Sequence, residues 1–131
     1  MDTRILLTVT AIVLGVMGVA TSFLPVEILT FVDAGSDRSV ATLVQMLGAA
    51  LFGFAMLNWM ARGAPAGGIY GRPIVIGNLV HFAVAGIALA KVAAVGGMPP
   101  LGLVLAAVYA GFAIAFAVVM FGPGPLGKQG R

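Results

Sequence analysis

Four stretches of this chain run without a charged side chain for the length of a bilayer crossing, and no other feature limits its fold as tightly. Arg4 and Glu27 bound residues 5 to 26, Arg38 and Arg62 bound 39 to 61, and Arg72 and Lys91 bound 73 to 90. Lys91 and Lys128 bound a longer run, which Gly96-Gly97 and Pro99-Pro100 interrupt to leave 101 to 121. A helix rises about 1.5 Å per residue, so ~20 apolar residues cross a hydrocarbon core of ~30 Å. Inside lipid every backbone N–H and C=O must be satisfied within the protein, which makes these runs helices. Barrel strands would alternate polar and apolar over ~10 residues, and these runs do not. The sequence predicts an all-α polytopic membrane protein, an antiparallel bundle of four transmembrane helices near 5–24, 40–61, 73–95 and 101–121. Residues 1–131 are expected to form one domain.

Composition removes the competing classes. Hydrophobic residues make up 61% and charged residues 8%, with a mean hydropathy of +1.14. A soluble domain carries about 25% charge, and a disordered chain needs low hydrophobicity and high charge. With no cysteine the chain has no disulfides, thiolate metal sites, iron–sulfur ligands or thiol nucleophile. Residues 5–18 have the length of a signal-peptide core, and Ala20-Thr21-Ser22 resembles a cleavage site. Against that reading, Asp2 offsets Arg4 where a signal peptide is positively charged.

The connecting residues fit the four spans. Pro25 is expected to end the first, with Val26 to Val32 as a short interfacial turn. Ser36, Asp37 or Ser39 is placed to cap the second helix, and Pro73 suits the first turn of the third. With the N-terminus inside, Arg4, Arg62, Arg72, Lys128 and Arg131 lie on the inner side, and Arg38 and Lys91 on the outer. Five against two predicts a multi-pass protein of the cell (inner) membrane with both termini cytoplasmic. The basic balance thus follows from topology. No basic stripe interleaved with aromatics points to nucleic acid, and membrane lipids are the expected partners.

Each span carries a small or polar stripe at three- and four-residue spacing. The stripes are Thr8, Ala11, Gly15, Gly18, Ser22; Ala41, Gln45, Gly48, Phe52, Ala55, Trp59; Asn78, His81, Ala85, Ala88, Val92; and Gly102, Ala106, Tyr109, Ala113, Phe116, Met120. Membrane helices associate through close packing and hydrogen bonds, so small and polar residues belong at their interfaces. Gln45, Asn78, His81 and Tyr109 are therefore predicted to converge as an intramembrane polar cluster. His81 is the one histidine; it reads first as a structural hydrogen-bonding group, with proton relay or iron ligation as alternatives. No catalytic residue, metal site or cofactor is expected. Asn58, Arg62 and Arg72, near the inner loop, form a candidate rim for an anionic lipid headgroup, beside the plainer reading that the arginines only set orientation. Ala49 and Gly53 lie on a second small face, which leaves a homo-oligomer or a larger membrane complex open.

Three families of similar size fail on specific residues. Small multidrug exporters carry a glutamate within the first helix, and residues 5 to 26 contain none. The membrane-bound glutathione and eicosanoid enzymes carry an Arg, Asn and Glu helix motif, and the later spans here hold no acid. The vitamin-K-type and Dsb-type oxidoreductases require cysteines. Leu24-Pro25, Gln45-Met46-Leu47-Gly48, Asn58-Trp59, Arg72-Pro73 and Asn78-Leu79-Val80-His81, over roughly residues 15 to 85, resemble small uncharacterised bacterial four-helix integral membrane proteins. That resemblance implies no established activity and transfers no catalytic role. The expected function is a non-enzymatic structural or accessory subunit of a membrane assembly. The alternative is a small transporter, or a lipid- or small-molecule-binding bundle using the polar cluster.

Orientation has a direct check. Reporter fusions in the 33–39 and 96–100 loops are expected to report from outside, and a cytoplasmic signal from either loop would overturn the assignment.

Overall fold

A computed structural model describes residues 2–35, 37–65 and 67–122. Ser36, one of the proposed caps, and Lys128 and Arg131, two of the inner charges, lie outside the described residues. The described chain is all-α and contains no strand: α1 Thr3–Phe23, α2 Pro25–Phe31, α3 Arg38–Ala61, α4 Gly71–Val95 and α5 Pro100–Phe121. α1, α3, α4 and α5, of 21, 24, 25 and 22 residues, are long and apolar enough to cross a membrane, so the chain has the build of a multi-pass membrane protein. The helices fall into two compact units, one of Arg4–Gly63 with α1 to α3, the other with α4 and α5.

The helix boundaries follow from local chemistry. Pro25 has no N–H to donate to the preceding turn, so α1 stops and α2 begins with proline in its first turn. α2 ends as a Schellman turn: the Ala34 N–H donates to the Leu29 carbonyl (2.9 Å) and the Asp33 N–H to Thr30 (3.2 Å). Asp33 takes the left-handed conformation this turn needs, at φ 55°. Asp37 caps α3, its carboxylate accepting the Ser39 N–H at 3.2 Å. Between α4 and α5, Gly96 and Gly97 both adopt positive φ, and Pro99 and Pro100 then start α5.

In the first unit α1 and α3 run antiparallel and touch through small residues. A Cβ on Gly18 would lie 2.7 Å from the Phe52 backbone nitrogen and 2.9 Å from the Gly48 carbonyl oxygen. One on Gly48 would lie 2.6 Å from Thr21 Oγ1 and 2.7 Å from the Ser22 nitrogen. Farther along, a Gly15 Cβ would meet the Ala55 Cβ at 3.6 Å. Pairing 15 with 55 and 22 with 48 sets the register. α2 turns back onto α3 and buries Pro25 and Leu29.

In the second unit α4 and α5 form an antiparallel hairpin. A Cβ on Gly86 would sit in ordinary contact, 3.8 Å from the Tyr109 side chain and the Ala110 nitrogen. Phe82 and Phe116 are fully buried. The outward positions of both units carry large apolar side chains, such as Ile5, Ile12, Val16 and Phe23 on α1 and Val104, Ile114, Val118 and Phe121 on α5. Facing hydrocarbon, these cost nothing to leave uncovered.

Two stripes differ from the sequence expectation. On α3, Gln45, Phe52 and Trp59 are exposed, whereas Ala41, Gly48, Leu51, Ala55 and Asn58 are buried. On α4, Ala88 and Val92 are exposed, and the buried set is Gly71, Val75, Asn78 and Phe82. One residue is about 100° of rotation, so small size alone locates a face only to that precision.

Substitution separates close contact from composition. Gly18→Ala is expected to lower stability by about 1–3 kcal/mol, because backbone must move to admit the methyl. Gly53, with nothing within 4 Å of an added Cβ, should accept alanine at no cost or with a gain of up to ~1 kcal/mol from helix propensity. Thermal unfolding in mild detergent measures both, and equal losses would contradict the packing account.

Candidate functional site

α4 and α5 bring His81 and Tyr109 together. His81 lies about ten residues into α4 and Tyr109 about nine into α5, each roughly 14–15 Å from the start of its helix. Their ring centroids are 5.6 Å apart at 49°. Phe82 touches both, edge to face, with centroids at 5.1 Å from each. It also stacks on Phe112 at 4.8 Å and 23°, and lies nearly parallel to Phe116 at 5.9 Å. Such offset and edge-on arrangements let the positive edge of one ring meet the negative face of another. His81 Nε2 and the Tyr109 side chain are buried within this cluster. The arrangement provides a rigid aromatic wall with two polar handles held inside an apolar helix pair.

Asn78, one turn before His81, is also buried, and its amide nitrogen donates to the Ile74 carbonyl at 2.8 Å. Gln45 belongs to the other unit, where its exposed side chain donates to the Ser22 carbonyl at 3.4 Å. That carbonyl lies in the last turn of α1, where helix carbonyls lack an intrahelical partner. Thus His81 and Tyr109 meet directly, Asn78 shares their helix pair, and Gln45 serves α1 and α3.

The proposed headgroup rim changes composition. Asn58 is 0% exposed, one of the most buried side chains in the chain, and so does not present itself at a rim. It completes the buried stripe with Leu51 and Ala55, three- and four-residue steps that carry it inward. Arg62 does lie at the end of α3. Its guanidinium stacks 3.5 Å over the Trp59 ring, and Nη1 donates to the Trp59 carbonyl at 3.1 Å. Arg4, Trp59, Met60, Arg62 and Gly63 line an open groove of about 350 Å³. Arg72 belongs to the other unit and lines a separate shallow groove with Gly67, Gly68, Ile69, Pro73 and Ile76.

Sequence reasoning did not single out Phe82 or Thr10. Thr10 is fully buried, with its hydroxyl donating to the Leu6 carbonyl at 2.8 Å. The signal for Phe82 was present in the four-three-four spacing of Gly71, Val75, Asn78 and Phe82, facing Tyr109, Phe112 and Phe116 at three and four. No family model, curated protein or solved structure matches this chain.

The aromatic cluster predicts an order of effects. Phe82→Ala should be the most disruptive change, at about 3–5 kcal/mol for the cavity it leaves. Tyr109→Phe keeps the ring and its contacts, removes only the hydroxyl, and should cost no more than about 1 kcal/mol. Unfolding midpoints in detergent rank the two, and a larger loss from Tyr109→Phe would place the weight on the hydroxyl instead.

Proposed function

We propose that this chain is a non-enzymatic structural or accessory subunit of a membrane assembly. The observation that carries the reading is how its polar side chains within the spans are used. Thr8, Thr10, Thr21 and Thr42 each donate to the carbonyl four residues earlier, at 2.7–2.9 Å, and Asn78 does the same. Gln45 joins α3 to the end of α1. These bonds satisfy each donor within the protein, as a hydrocarbon surrounding requires, so the polar side chains are spent on the fold itself. The outer faces meanwhile present mixed small and large apolar residues, a surface suited to lipid or to another membrane helix. In this reading the protein sits in the cell membrane with both termini cytoplasmic.

Purification from the native membrane in mild detergent tests the role. A companion protein retained at fixed stoichiometry through two chromatographic steps is the expected result. A chain that runs alone and turns over or transports a solute would refute it.

A further inference from the structure

The groove between the start of α1 and the end of α3 contains the ingredients of an anion site at membrane-headgroup level. We propose that it seats the phosphate of an anionic phospholipid, with Arg4 and Arg62 as the cationic contacts and Trp59 as the interfacial anchor. The inference rests on α1 and α3 spanning the membrane, and is independent of the accessory role.

Position comes first. The antiparallel pairing of α1 with α3 puts residue 4 and residue 62 at the same end of two spans, where headgroups lie. Tryptophan is enriched at that level because its ring is amphipathic, and Trp59 is 45% exposed there. The groove is open, and the residues lining it include two arginines.

Arg62 is prepared for the task. The C-terminal carbonyls of a helix carry partial negative charge and would repel a phosphate. Nη1 of Arg62 covers one of them, at Trp59, and the indole face beneath holds the guanidinium plane in place. Arginine has five N–H donors in a planar fork, and this carbonyl takes one. A fork fixed on an aromatic face loses little freedom on meeting a phosphate, which it can grip with two parallel bonds. Asn58, adjacent to Trp59 in sequence, takes no part because it is buried.

Native mass spectrometry of the full chain in mild detergent, titrated with phosphatidylglycerol or with phosphatidylcholine of the same acyl chains, tests the assignment. Phosphatidylglycerol should be retained preferentially, and Arg4→Gln and Arg62→Gln should each weaken its retention roughly fivefold, the effect of one basic residue at an anionic surface. Arg62→Lys, which keeps the charge and loses the fork, should fall between Arg62→Gln and the parent. Arg38→Gln removes the same charge from the other end of α3, ~36 Å away, and should leave retention unchanged. Equal retention of the two lipids, or an equal loss in Arg38→Gln, would overturn the site. Displacement of the lipid by inorganic phosphate at matching concentration would hand the groove to a soluble anion and overturn the lipid assignment. Circular dichroism confirms folding of each variant. Should Arg62→Gln unfold, the exposed Arg4 carries the test, and unchanged retention in Arg4→Gln refutes the proposal.

Discussion

In hydrocarbon a helix gains nothing from hiding leucine, since the lipid tails outside are as apolar as the protein within. What remains to hold two helices together is the closeness of their approach, and in the first unit that closeness depends on two glycines. Gly18 and Gly48 bring the backbones of α1 and α3 within the reach of a missing methyl group, and neither position has room for a Cβ. The consequences spread along both helices. Dispersion contacts that a bulky pair would hold apart are made over several turns. Ser22 comes near enough for Gln45 to donate to its carbonyl, and α2 can fold back onto α3 with Pro25 and Leu29 buried.

The second unit solves the same problem by other means. Gly86 provides a contact of ordinary distance, so α4 and α5 do not depend on backbone touching backbone. Their core is a set of rings in which Phe82 meets His81, Tyr109, Phe112 and Phe116. Rings have direction, and stacking or edge contacts are lost when a helix rotates or slides. Phe82 therefore acts as the register mark of the hairpin. His81 lies at one border of this set, beside Tyr109, where its ring packs as part of the wall.

At the end of the first unit, packing and charge come together. Trp59 is turned outward by the same rotation that turns Asn58 in, because consecutive residues on a helix lie about 100° apart. Arg62, three residues on, then has an aromatic face to lie against and a terminal carbonyl to bond. A tight glycine interface in the middle of two spans thereby determines which side chains are presented at their rim.

The sequence alone determined the four long helices, their limits to within about two residues, and the break at Pro25. It read the segment after Pro25 as a turn, where the structure has the short helix α2. Charge spacing, proline and positive-φ glycine act locally, so they are legible without a partner. The Asp37 cap was legible for the same reason, as one of three candidates. The small stripes of α1 and α5 also anticipated much of what is buried, because glycine, alanine and tyrosine there coincide with the packed face. Only the tertiary structure decided the rotation of α3 and α4, burying Asn58 and Phe82 and leaving Gln45, Trp59 and Ala88 outside. It also paired His81 with Tyr109 and gave Arg62 its place on Trp59. In a helix apolar on nearly every side no polar face marks the outside, so hydrophobic periodicity loses its phase. Only the shape of the neighbouring helix supplies it.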